Sequence, residues 1–190
     1  MVFQRRNPGL LHYLLERKLR QAKEVMRAWA ATGIHGVFVE EVFTGADSIS
    51  PDNYDNFVFA YNQPYFQYMR SLGLLPIHYV CGDVIPRLKR MVECDIAAVA
   101  VEESKKIFHN DIAEVVDQVA GLHAVFGNID TIQFGLHSTP EKMVAEVERQ
   151  AGIGIHANGF IVSTGSPFPL ETNPAMIDTL VTAAHSLDAA

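Results

Sequence analysis

Four short stretches place reactive or hydrogen-bonding side chains directly after apolar runs. Pro76-Ile77-His78-Tyr79-Val80-Cys81-Gly82-Asp83 ends in a thiol and a glycine turn. Glu102-Glu103 and Gly127-Asn128-Ile129-Asp130 follow two further apolar runs, and Ser163-Thr164-Gly165-Ser166-Pro167 follows a last one. Earlier in the chain, Gly36-Val37-Phe38-Val39 runs into Glu40-Glu41. Carboxylates gathered at one pocket can carry raised pKa values and serve as acid and base, which makes Glu41, Glu102 and Asp130 candidates beside Cys81. The backbone amides of Ser163, Thr164, Gly165 and Ser166, with Asn128 nearby, are candidates for receiving an anionic group, because a small-residue loop feeding a helix is a generic anion cradle.

Each of these residues also has a plainer reading. Cys81 can be a small buried hydrophobe at a strand end, and His78 a core histidine facing helices. Asn128 and Asp130 suit a tight turn because they bond their own backbone. The Glu40-Glu41 and Glu102-Glu103 pairs can be held by Lys105, Lys106 or Arg87. The remaining histidines are scattered and make no i, i+4 ligand pair.

The elements that must position these groups alternate. Apolar residues at three- and four-residue steps predict an amphipathic helix over residues 8–31, entered at Pro8 and stopped before Gly33. A strand at 36–39 follows, then a helix opened by Ser50-Pro51-Asp52 and ended by Gly73. The cycle repeats with strands at 74–81, 97–101, 124–127 and 159–163. Helices are predicted at 84–94, 111–120, 139–151 and 174–186. Consecutive strands separated by helices run parallel, and parallel strands covered by helices read as short continuous apolar runs, as these do. Residues 43–50 and 164–173 read as loops over the strand ends, and residues 1–190 read as one domain.

The strand count leaves the architecture open at this stage. A closed (β/α)8 barrel needs eight strands and about 250 residues, whereas 190 residues here supply about five. Either the sheet is open and doubly wound, or something outside the chain completes a barrel whose edges and lumen would otherwise be bare. A mean hydropathy of +0.08 favours a covering partner surface. A formal net charge of -7 offers no basic stripe to a phosphate backbone, so nucleic acid is not the expected partner. Two cysteines fall short of a disulfide framework and fit a reducing, cytoplasmic setting. No apolar run reaches the roughly 18 residues of a membrane span, and the start of the chain lacks a signal-peptide core.

The ordered set of turns resembles a known family. Glu41-Val42-Phe43-Thr44-Gly45-Ala46-Asp47-Ser48-Ile49-Ser50-Pro51, then the run ending Cys81-Gly82-Asp83, then Val101-Glu102-Glu103, Phe126-Gly127-Asn128-Ile129-Asp130 and Gly159 to Gly165 look like the C-terminal part of the uroporphyrinogen decarboxylase superfamily. That superfamily includes the corrinoid-dependent methyltransferases. The resemblance implies the C-terminal part, about five strands, of a TIM (β/α)8 barrel, with the N-terminal strands absent. It implies an enzyme once the barrel is completed, most readily one passing a methyl group between methylcobalamin and a thiol or pterin. A small-molecule substrate, a corrinoid protein and either a homo-oligomer or a completing N-terminal chain are the implied partners. Decarboxylation of uroporphyrinogen and a non-catalytic split-barrel subunit are the alternatives. The decarboxylases bear their substrate-handling residues on the absent strands, and their last strand ends in Gly-His-Gly, where this chain has Thr164-Gly165-Ser166-Pro167.

The thiol methyltransferases of the superfamily hold zinc with a His-x-Cys pair, a cysteine after the last strand and, in some states, a glutamate. Cys81 matches the first cysteine, Glu102 falls 21 residues further on at the glutamate, and Glu41 matches an acidic rim residue. Tyr79 stands at the histidine position with His78 one residue early, and Ser166 stands at the second cysteine. A metal here would therefore draw on Cys81, Glu102 and His78. Side chains alternate faces along a strand, so His78 and Cys81 share a face only if a bulge intervenes.

Overall fold

The computed structural model describes residues 2–119 and 121–187 of the chain. Two helices lead in. α1 is Val2–Arg6 and α2 is Pro8–Ala30, where Asn7 caps the amide of Leu10 at 3.0 Å and Pro8 occupies the first turn. Gly33, at φ 81, then turns the chain into β1, Gly36–Glu41. Ser50 and Pro51 start a long helical stretch as the sequence predicts. It comprises α3 (Pro51–Tyr54), a π-helical turn at Asp55–Phe59 and α4 (Ala60–Ser71), and Gly73 ends it at φ 78.

The rest of the chain continues the alternation. β2 is Leu75–Val80, followed by a 3-10 turn and the short α5 (Leu88–Met91). The helix predicted over 84–94 is thus broken, because Pro86 permits only a tight first turn and the chain bends again before Cys94. β3 (Ala98–Val101), α6 (Ile112–Val119) and β4 (Ala124–Phe126) follow. The predicted last residue of α6, Ala120, lies outside the described residues. α7 (Thr131–Gly135) is a short helix with no apolar repeat to announce it. α8 (Pro140–Gly154), β5 (Phe160–Ile161) and α9 (Pro174–Leu187) complete the order.

All five strands pair in parallel in the order β1-β2-β3-β4-β5. A doubly wound sheet reverses strand order at a switch point, and this one does not. The sequential order is that of a barrel segment, with the sheet left open. The register assigns the two faces. Val39, His78, Val99, Val125 and Phe160 form one row, and Phe38, Ile77, Ala98 and Ala124 form the row next to it on the opposite face.

The first face is the covered one. Val80, Val99, Val101 and Val125 are fully buried among Phe66, Met69, Leu88, Met91, Val115 and Val119 from the helices. Each such buried aliphatic side chain contributes about 1.5–3 kcal/mol. A second cluster, Ile129, Met143, Val147, Met176 and Ala183, fastens α8 to α9. The other face, which would be the lumen of a closed barrel, is partly bare: Phe38 is 50% exposed, Leu75 46% and Ile161 39%. The outward side of α2 also exposes apolar side chains, Leu10, Leu14, Val25 and Trp29, among its charged ones. Among the described residues, no helix is long and apolar enough to cross a membrane.

Candidate active site

Parallel strands deliver their carboxyl ends to one edge, and the polar turns all lie there. Cys81 follows β2 and continues its ladder, donating its amide to Glu41 O at 2.9 Å. By the period of two it shares the open face with Tyr79. Glu102 extends β3 beside it, so the Glu102 carboxylate accepts the amide of Gly82 at 2.9 Å and lies 3.5 Å from Lys105 Nζ. Cys81 and Glu102 therefore meet as neighbours at the mouth of the half-lumen.

The electrostatics of this mouth hold Cys81 as a thiol. Burial pushes its pKa up, and the carboxylates of Glu102, Glu40 and Glu103 push in the same direction, while the Tyr79 hydroxyl opposes them. The Tyr79 hydroxyl donates to Gly165 O at 2.5 Å, bridging β2 to the loop after β5. Burial, first of all, also raises the Tyr79 pKa.

Glu103 turns away from the open face and is 2% exposed. It pairs with Lys105 and accepts Ser166 Oγ at 2.7 Å. Gly165 packs directly on it: a Cβ at this position would sit 2.4 Å from Glu103 N and 2.5 Å from Glu103 Oε2. The loop expected to cradle an anion thus already lies against one, the protein's own Glu103. The Gly165 amide is also spent on Ile129 O at 3.1 Å, and Ser163 Oγ turns to Thr164 O at 3.3 Å. Thr164 bridges to Ile129 as a one-residue continuation of the sheet.

Asn128 is buried and acts as a strut. Its side chain donates to Asn110 O at 2.7 Å, and its amide donates to Gln150 Oε1 at 3.2 Å. Asp130 caps α7, accepting the amides of Ile132 and Gln133 at 2.8 and 2.9 Å. Asn128, Asp130 and Glu103 line a polar cleft of about 280 Å³ toward α8, together with Asn110 and Gln150.

Glu41 departs from the expectation of a common mouth. The register pairs it with Val80 on the helix-covered face. There it accepts Thr44 Oγ1 at 2.7 Å and Asn62 Nδ2 at 2.5 Å, and it lies 3.4 Å from His78 Nε2. Burial works to raise its pKa, but His78, Thr44 and Asn62 together bring it below the ordinary value. Glu40, one residue earlier, is the member of the pair on the open face.

The trio Cys81, Glu102 and His78 is not brought together either. No bulge intervenes in β2, so His78 points opposite to Cys81 and is 0% exposed, with its ring 5.0 Å from that of Phe66. Among the described residues, no three His, Cys, Asp or Glu side chains converge to hold a metal ion. The donor set does not fit zinc.

Two residues outside the expected site set organise the rim. Asn110, 1% exposed, donates to Gly82 O at 2.9 Å and Glu102 O at 3.0 Å while accepting the amide of Val84 at 3.3 Å, tying the β2 turn to the β3 turn. Arg87 is buried and donates to the carbonyls of Thr44 and Ile49, so it holds the loop after β1 rather than a carboxylate. Gly82, at φ 90, lies where a Cβ would come 2.5 Å from Asp47 Oδ1, and Asp47 in turn accepts the amide of Asp83 at 2.9 Å. An asparagine just before a predicted helix was the only sequence signal for Asn110. Arg87 carried none.

A family model described as uroporphyrinogen decarboxylase (URO-D) matches residues 1–187. Among solved structures, a methyltransferase from Methanosarcina mazei is similar at a TM-score of 0.83 and 20% sequence identity, over 99% of this chain and 52% of that one. The chain spans about half the length of that structure. Comparison with curated proteins finds no match.

Proposed function

Because the chain belongs to the uroporphyrinogen decarboxylase family, we propose that it forms the C-terminal, site-bearing half of a methyltransferase barrel. In this proposal methylated cobalamin, presented by a corrinoid protein, is one substrate and a thiol or a pterin is the other. One observation carries the reading: Cys81 and Glu102 stand side by side at the carboxyl ends of β2 and β3, where the open lumen begins. Active sites of (β/α)8 enzymes are built at that end of the strands. The similarity to a methyltransferase over nearly the whole chain supports the same branch of the family. The Thr164-Gly165-Ser166-Pro167 turn, in place of Gly-His-Gly, weighs against decarboxylation.

The proposal includes a partner for the bare face. A groove of about 680 Å³ at the amino ends of the strands is lined by Leu75, Ile77, Ala98, Phe126 and Ile161. Eight-stranded closure requires three more strands between β5 and β1, and a completing N-terminal segment or chain supplies them in this reading. Self-association of two copies, as a non-catalytic split barrel, is the second reading, and the half-exposed Phe38 and Leu75 favour it equally. A cytoplasmic setting accompanies both.

The deciding experiment mixes the protein and its completing partner with methylcobalamin and a thiol or a tetrahydropterin. Loss of the methylcobalamin spectrum that depends on Glu102 is expected. Conversion of uroporphyrinogen to coproporphyrinogen, with no change in cobalamin, would reverse the assignment. Sedimentation separates the partner readings: a stable monomer at 21.1 kDa sinks obligate self-assembly.

A further inference from the structure

We infer that the mouth beside Cys81 is built to work without a bound metal, with the Tyr79 hydroxyl tying β2 to the loop after β5 at the place of a metal ligand. The inference deepens the methyl-transfer reading of the same site. By the family resemblance, the positions at which the superfamily's thiol methyltransferases hold zinc correspond to Tyr79, Cys81, Glu102 and Ser166 of this chain.

Each of those positions except Cys81 is committed elsewhere, and so is the neighbouring His78. His78 points to the covered face, where it meets Glu41 and Phe66. Glu102 accepts the Gly82 amide and neighbours Lys105, an ammonium that a metal ion would have to displace. Ser166 donates to Glu103. Tyr79 donates to Gly165 O, and this bond joins residues 86 positions apart. One thiol does not make a site that needs three or four protein ligands. An acceptor entering this mouth meets a phenol, a thiol and carboxylates, and a thiol acceptor here has no metal ion to deprotonate it.

The test uses the purified 190-residue chain, incubated with excess zinc, desalted and assayed for metal by mass spectrometry. In parallel, alkylation of Cys81 by iodoacetamide is followed with and without zinc by peptide mass, which separates it from the buried Cys94. The expected result is no more zinc than in Cys81→Ser and no protection of Cys81. One zinc per chain that is lost in Cys81→Ser, or zinc protection of Cys81, overturns the inference. A second variant, Tyr79→His with Ser166→Cys, is expected to acquire Cys81-dependent zinc while keeping the native circular dichroism. A folded double variant that still takes up no zinc would remove Tyr79 from the place assigned to it. Neither measurement involves cobalamin, so this inference and the methyl-transfer reading fail separately.

Discussion

Replacing Glu41 by Gln tests the most consequential reassignment, that this carboxylate works behind the sheet as a structural anchor. Glu41 accepts from Thr44 and Asn62 and faces His78 in a covered setting. Gln keeps the shape but supplies one acceptor oxygen, so its amide nitrogen must face one of those donors. Loss of hydrogen bonding to a charged group amounts to about 1.5–3 kcal/mol. For a domain of this size that lowers the melting temperature by about 3–12 °C. The pH dependence is the sharper part. The folded pKa of Glu41 is depressed below the ordinary 4.5, so its stabilisation is full above that value and is lost as pH falls through the lower folded value. Urea titrations of native and Glu41→Gln proteins at a series of pH values should converge at the acid end and separate toward neutrality. A constant difference across the series, or one under about 0.5 kcal/mol at pH 7, the size expected of an unremarkable surface substitution, would refute the anchoring role.

Gly165→Ala should lower stability by about 1–3 kcal/mol, as overpacking does, because its Cβ would press on Glu103, whose backbone cannot retreat; thermal unfolding checks this. The pH profile of Cys81 alkylation should centre above the ordinary thiol value of 9.0, and Glu102→Gln should move it down by removing a nearby negative charge; an upward shift contradicts the geometry. Asp130→Ala should cost about 1 kcal/mol through loss of the α7 cap, with little effect on Cys81 reactivity. If that variant instead changes Cys81 chemistry while stability holds, Asp130 belongs to the mouth.

Local rules carried the reading of this chain a long way. Caps and stops such as Pro8, Ser50-Pro51, Gly33 and Gly73 act within one turn of backbone, so α2, β1 and the long helix from Pro51 were legible from neighbours alone. The apolar runs of β2, β3 and β4 announced parallel strands for the same reason, since strands covered by helices read as short continuous apolar stretches. The family resemblance rested on turns of this kind, and the match over residues 1–187 agrees with it.

What lay beyond the sequence was which side each rim residue faces and what it meets there. Glu40 and Glu41 are chemically alike, and only the pairing of β1 with β2 turns Glu41 toward His78 and Asn62. Glu103 and Ser166 lie 63 residues apart, and their bond, which sets a carboxylate against the loop expected to receive an anion, exists only because β3 and the loop after β5 are brought together. Sequence decides the identity and local conformation of each strand end. The choice of partner across the sheet is decided by distances that exist only once the strands are stacked, and it separates a carboxylate at the mouth from one locked behind it.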